Sequence, residues 1–110
     1  MQDQDANEGV AAALAGLVRA FESAVSAIQN DPDADRAYAE ATELVETLQR
    51  FSEASGDLRA QSAARIFKSE RLSLSGLADR ISISKARAAQ LINTAKKADE
   101  KANPVPEEAT

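Results

Sequence analysis

The chain has 110 residues, with 13 basic and 18 acidic side chains, so its formal net charge is −5. Taken over the whole chain, this charge balance argues against nucleic-acid binding. The sequence contains no cysteine and no histidine, which excludes disulfides and thiolate metal sites and removes the commonest general base and metal ligand. It also contains no glycine-rich phosphate loop. Composition therefore argues against an enzyme, and it implies no cofactor, no metal and no small-molecule ligand.

The apolar residues predict an all-α fold with a thin core. They number 48, and 24 of them are alanine, the best helix former, whereas valine, isoleucine, phenylalanine and tyrosine together number only 14. We expect an N-terminal antiparallel helical hairpin followed by a C-terminal three-helix module. Because few large side chains are available for a core, such a chain often completes its core by self-association.

The N-terminal residues do not have the pattern of a signal peptide. Residues 1–7 are polar and acidic, unlike the basic start of a signal peptide, and we expect them to be disordered. The longest uninterrupted apolar run, from Val10 to Val18, has nine residues, which is too short to span a bilayer. The expected location is the cytoplasm, with no membrane partner.

Two amphipathic helices are predicted within residues 8–56, and they form the expected hairpin. The first helix covers about 8–29. Asp31 is then placed to cap the second helix, with Pro32 at its first position, and that helix runs to about residue 55. Apolar residues recur at intervals of three and four along both helices, which is typical of a core-facing stripe. The stripe residues that we assign to dimerisation are Leu14, Leu17, Phe21, Val25, Ile28, Leu44, Leu48 and Phe51.

A two-helix hairpin buries little apolar surface alone, so it needs a packing partner. Two packing partners are possible: the C-terminal half of the same chain, or the hairpin of a second chain. The thin core favours a second chain. Gly56 is expected to end the second helix, and Asp57 to cap a third helix over 58–69 with Leu58 on its inner side. Gly56 is thus the predicted boundary between the hairpin and a second module over 57–102.

The charges are distributed unevenly along the chain. Residues 1–58 hold three basic and twelve acidic groups, a net charge of −9. Residues 59–103 hold ten basic and four acidic groups, a net charge of +6, and residues 104–110 add −2. A basic half within an acidic chain indicates a nucleic-acid-binding module. The tail, 103–110, contains two prolines and is expected to be disordered.

The spacing of serines and apolar residues after residue 72 predicts two short helices and a tight turn. Ser73 can cap a helix that ends near Ile81, and Ser84 can cap a second helix that starts at Lys85. Residues 82–84 connect the two. With the helix ahead of them, these elements make a helix-turn-helix.

A family pattern runs through this stretch. Its positions are Ser73, Leu74, Leu77, Ala78, Ile81, Ile83, Ser84, Arg87, Gln90 and Leu91. On these residues the stretch resembles the helix-turn-helix of bacterial transcription proteins, above all the fourth conserved region of sigma factors and related small transcriptional regulators. The match covers about 22 of the 110 residues. Ser82 departs from it, because the family has glycine at this position, which favours a positive φ. Ala88 also departs from it, because valine is typical there.

The resemblance implies a sequence-specific regulator that binds double-stranded DNA in the bacterial nucleoid. In the family fold the second helix lies in the major groove. Gln90 would pair with adenine, and Lys85 or Arg87 with guanine. The groove-facing candidates by position are Ser84, Lys85, Ala86, Arg87, Ala89, Gln90 and Asn93. The candidates for phosphate contacts are Ser73, Ser75, Arg65, Lys68, Arg71, Lys96 and Lys97, with Arg59 as a further one.

One such module makes few base contacts, so we expect a homodimer on a palindromic site whose half-sites lie about 34 Å apart. Two alternatives remain open. The chain could be a protein–protein adaptor of the transcription machinery, in which case it would not bind random duplex DNA. It could also be an architectural protein that coats DNA with little sequence preference.

Overall fold

The computed structural model describes residues 2–102, with side chains from Glu8 onward, and all regular structure in this range is α-helical. The helices are α1 (Gln2–Gln29), α2 (Ala34–Ser69), α3 (Leu74–Arg80) and α4 (Lys85–Ala102). The all-α prediction is confirmed. Helix α1 begins at Gln2, six residues before the predicted start at about residue 8. The tail, 103–110, lies outside the described residues.

Helix α2 is one continuous helix of 36 residues. The prediction that Gly56 ends a helix is wrong, and so is the capping role given to Asp57. No glycine among the described residues has the positive φ of a helix-ending glycine. A glycine inside a helix costs about 1 kcal/mol relative to alanine. The helix continues because Ala60 and Ala63, one and two turns later, are buried in the core.

The chain divides into two compact units, which we call the N-terminal unit (Met1–Leu48) and the C-terminal unit (Gln49–Thr110). The division falls eight residues before the boundary predicted at Gly56, and it lies within α2 rather than at a helix end. Leu58, predicted on an inner face, is 63% exposed.

Two aspartates stabilise the connection between α1 and α2, and they do so through different hydrogen bonds. Asp33 caps α2, because its Oδ1 accepts hydrogen bonds of 3.1 Å from the backbone N–H groups of Asp35 and Arg36. Asp31, the predicted cap, instead accepts two hydrogen bonds of 2.7 Å from the Nε and Nη2 of Arg36. These hydrogen bonds hold the pKa of the Asp31 carboxyl well below its usual range. The bidentate pair ties the first turn of α2 to the connection.

The N-terminal unit has a thin core, as composition predicted. None of its described residues, 8–48, is buried. Apart from Gly16, the half-buried ones lie in or towards the connection: Ala24, Val25, Ile28, Asp31, Ala37, Glu40, Ala41, Leu44 and Thr47. Earlier in α1 the large apolar side chains are exposed, with Leu14 at 56%, Leu17 at 51% and Phe21 at 42%. Leu48 is 39% exposed, and Phe51, in the C-terminal unit, is 51% exposed.

Helix α1 contains an apolar segment longer than the nine-residue run from Val10 to Val18. By length and composition its segment Glu8–Gln29 is apolar enough to cross a membrane, and it is the one such helix in the described part of the chain. None of that segment is buried in the structure. Its alanines and glycines extend the apolar character, and after Glu8 only Arg19 and Glu22 are charged.

The C-terminal unit contains every buried residue of the described chain. One core cluster joins α2 to α4 through Ala60, Ala63, Leu91 and Ala95. A second cluster joins α3 to α4 and includes the buried residues Leu77, Ala78 and Ala88. Its partly buried neighbours are Ile66, Phe67, Leu72, Ile81, Ile83 and Ile92. Most buried positions are alanine, so the helices make contact through small side chains.

Candidate nucleic-acid interface

Both turns of the C-terminal unit have the same hydrogen-bonding pattern. After α2, the N–H of Leu72 donates to the carbonyl oxygen of Phe67 at 3.0 Å, and the N–H of Arg71 donates to that of Lys68 at 3.3 Å. This pair of bonds is the Schellman motif, which requires a left-handed residue just beyond the helix. Arg71 occupies that position with φ 50°. The motif turns the chain from α2 into α3.

The turn between α3 and α4 repeats this motif. The N–H of Ile83 donates to the carbonyl oxygen of Ala78 at 2.9 Å, and the N–H of Ser82 donates to that of Asp79 at 3.4 Å. Ser82 has φ 59°, so the position where the family pattern has glycine is left-handed here too. The side chain of Ile83 packs on the core cluster of Leu77, Ala78 and Ala88 and anchors the turn.

Serine side chains cap both helices that follow the turns, as predicted. The Oγ of Ser73 accepts a 3.0 Å hydrogen bond from the N–H of Gly76 at the start of α3. The Oγ of Ser84 accepts a 3.0 Å hydrogen bond from the N–H of Arg87 at the start of α4. Each hydroxyl keeps its own proton for donation to an external acceptor. Both serines are exposed, so a phosphate oxygen can reach them.

Helix α4 separates a buried face from a polar one. Its buried residues are Ala88, Leu91, Ala95 and Ala98. At 100° per residue, the opposite face carries the exposed residues Ala86, Gln90, Asn93 and Lys97. Exposed Lys85 and Lys96 and half-buried Ala89 lie towards one flank of this face, and half-buried Arg87 lies on the other flank. The candidates predicted on α4 therefore share one side of the helix or its edges.

Two of these candidates are bonded to each other. The Nη1 of Arg87 donates a 2.8 Å hydrogen bond to the Oε1 of Gln90. Sequence reasoning treated the two residues as independent, although their spacing of three along a helix is the signal for such a pair. The bond holds both side chains at the edge of the polar face.

The basic candidates are available for contacts. Arg65, Lys68 and Arg71 are exposed, as is Ser75 at the start of α3. Within residues 8–102, none of the three forms an ion pair, nor does Lys96 or Lys97. A groove of about 310 Å³ has Arg65 and Lys68 of α2 on one side, with Ala95 and Asp99 of α4 on the other.

Arg80 differs from these basic residues because it has a partner. Its Nε lies 3.2 Å from the Oε1 of Glu70, and this contact joins the end of α3 to the residue after α2. Nothing in the sequence pattern signalled this pair, because the two residues are ten positions apart.

No protein-family model, curated protein or solved structure matches the chain significantly. The resemblance to the sigma-factor region thus rests on the residues of the stretch itself.

Proposed function

We propose that the chain is a sequence-specific, double-stranded DNA-binding transcriptional regulator that acts as a homodimer. The observation that carries the proposal is the face of α4 opposite the core, which is exposed and polar and starts at a serine-capped helix end. In the proposal, the C-terminal part of α2 together with α3 and α4 forms the helix-turn-helix module, and α4 is its recognition helix.

The chemistry of the α4 face suits the major groove. Gln90 can donate and accept at adenine, and Lys85 can donate to guanine. Ala86 and Ala89 are small enough to let the helix backbone approach the base edges and to touch thymine methyl groups. The partial positive charge at the start of α4 adds attraction for the phosphate backbone.

The serines and basic side chains around α3 would set the position of the module on the duplex. Phosphate contacts fix register and orientation, whereas base contacts give specificity. The caps Ser73 and Ser84 place their hydroxyls at helix starts, and Arg65, Lys68 and Arg71 have no ion-pair partner among residues 8–102 that would compete. Each such contact makes binding more sensitive to salt.

The proposed homodimer rests on the exposed apolar residues of α1. Leu14, Leu17 and Phe21 belong to the predicted stripe, and all three are exposed. None of the side chains of residues 8–48 is buried. A second copy would remove this surface from water. In the proposal the two helices of the N-terminal unit form an antiparallel hairpin, and two hairpins form a four-helix bundle. The negative charge of residues 1–58 would keep the bundle away from the duplex.

Selection of bound sequences from a random duplex pool tests the proposed function. We expect enrichment of a split, palindromic motif, with a binding constant that falls steeply as salt rises. Salt-sensitive binding without an enriched motif would indicate the architectural alternative. Absence of any binding would overturn the proposal and favour the adaptor.

A further inference from the structure

The C-terminal unit has a groove beside the proposed recognition helix, and Arg87 of that helix is one of its lining residues. It has a volume of about 360 Å³ and lies between α2, the turn after α3 and the start of α4. Ile66 of α2, Ile81 and Ile83 of the turn, and Leu91 of α4 line it. The three isoleucines are only half-buried, so an apolar surface remains open to solvent.

The charged residues of the groove are all of one sign. Arg59 of α2 and Arg87 of α4 line it, and no described carboxylate does. Arg59 is exposed and has no ion-pair partner among the described residues. Arg87 uses one N–H for its hydrogen bond to Gln90, and a guanidinium has five. Two guanidiniums beside an aliphatic surface therefore select an occupant that is both apolar and anionic.

The apolar lining argues against a phosphate backbone as the occupant. Phosphates would pair with the two arginines, but they would leave Ile66, Ile81 and Ile83 in contact with water. A peptide helix with aliphatic residues at spacings of three and four covers such a surface, and carboxylates beside them reach the arginines. We propose that this groove binds an acidic amphipathic helix of a partner protein.

The test uses the full chain with ¹³C-labelled isoleucine δ1-methyl groups, in the absence of DNA. The chain has five isoleucines: Ile28, Ile66, Ile81, Ile83 and Ile92. The probe is a synthetic helical peptide of about four turns, with leucines on one face and glutamates beside them. We expect the methyl signals of Ile66, Ile81 and Ile83 to shift on titration. Ile28, in the N-terminal unit, is the internal reference and should not shift.

Variants separate the groove from general charge attraction. Arg59→Gln should weaken peptide binding about two- to five-fold, the effect expected of one exposed ion pair. The matched control Arg71→Gln removes an equal charge outside the groove and should leave binding unchanged. A peptide with glutamine for each glutamate, and one with serine for each leucine, should both bind more weakly.

Three results would overturn the proposal: equal loss in the two arginine variants, unchanged binding of the glutamine peptide, or signal shifts confined to other methyl groups. Because DNA is absent from every step, failure of this test leaves the proposed DNA binding untouched. Equally, loss of DNA binding in the selection experiment would not alter the peptide titration.

Discussion

The Nη1 of Arg87 lies 2.8 Å from the Oε1 of Gln90, one turn further along α4. Two of the side chains proposed to contact bases are therefore joined in the free protein. In the proposed complex Gln90 would bind adenine through both amide atoms, and because its Oε1 has two lone pairs it can accept from adenine and from Arg87 together. The hydrogen bond would then hold Arg87 next to the base that Gln90 binds.

Replacement of Gln90 by alanine should weaken binding to the preferred site by about 1–3 kcal/mol, the range of one bidentate base contact. The loss of affinity should be confined to one base position of the site. Arg87, without its hydrogen bond to residue 90, should change which base is preferred at that position. Binding of each single-base variant of the selected site measures this. Lys101→Ala, on the last turn of α4, is the control, and it should lower affinity slightly on all sequences alike. Equal behaviour of the two variants would contradict the role of Gln90.

Ser82→Gly should stabilise the protein by about 0.5–1 kcal/mol, because Ser82 has φ 59°, where a residue with a Cβ is strained. Urea denaturation measures the change in the free energy of unfolding. Ser82→Ala is the control: alanine keeps the Cβ, so it should bring no gain. A gain from alanine equal to that from glycine would show that the hydroxyl rather than the backbone causes the effect.

Gly56→Ala should also raise stability, by about 0.5–1 kcal/mol, because a Cβ at this point of α2 meets nothing within 4 Å. Thermal and urea unfolding measure it. Gly76→Ala is the contrasting variant, since its Cβ would lie 3.3 Å from the Oγ of Ser73 and 3.4 Å from the Cδ2 of Leu72. Gly76→Ala should therefore raise the free energy of unfolding less than Gly56→Ala does, or lower it. A loss of stability in Gly56→Ala would mean that the helix ends there after all.

Asp31→Asn should destabilise the protein at neutral pH, because it removes the charge that Arg36 binds. The folded-state pKa of Asp31 is lowered by Arg36, so its contribution is complete above the unfolded value of about 3.9 and is lost as pH falls through the folded value. The difference between wild type and variant should thus be constant at neutral pH and shrink below about pH 4. Urea denaturation at several pH values measures it. Asp33→Asn is the control, since asparagine caps a helix as well as aspartate does.

Leu17→Glu should convert the proposed dimer into monomers. Leu17 is 51% exposed in the single chain, so the charge would be tolerated in a monomer but not in an apolar interface. Leu58→Glu is the matched control, because Leu58 is 63% exposed and lies outside the predicted interface. Sedimentation velocity at tens of micromolar measures the mass of each. A monomeric wild type would contradict the dimer, and its binding to lipid vesicles would instead assign the α1 surface to a membrane.

The sequence by itself determined the helical class, the C-terminal end of α1, the extent of α3, and both serine caps. These features depend on hydrogen bonds between residues at most five positions apart, so neighbouring residues are enough to specify them. At Ser82 the resemblance indicated a position that favours a positive φ, and the structure has φ 59° there. The residues of α4 could be assigned to a buried or a polar face for the same reason, since helical periodicity alone separates them.

Only the tertiary structure decided the course of α2. Gly56 has the local signature of a helix end, but the burial of Ala60 and Ala63 against Leu91 and Ala95 outweighs it, and those partners lie some thirty residues away. The choice between Asp31 and Asp33 as the cap is local by contrast, because Arg36 lies within five residues of both. The groove between Arg59 and Arg87, like the course of α2, depends on the tertiary structure. Its lining comes from three separate elements, and no local pattern in the chain brings them together.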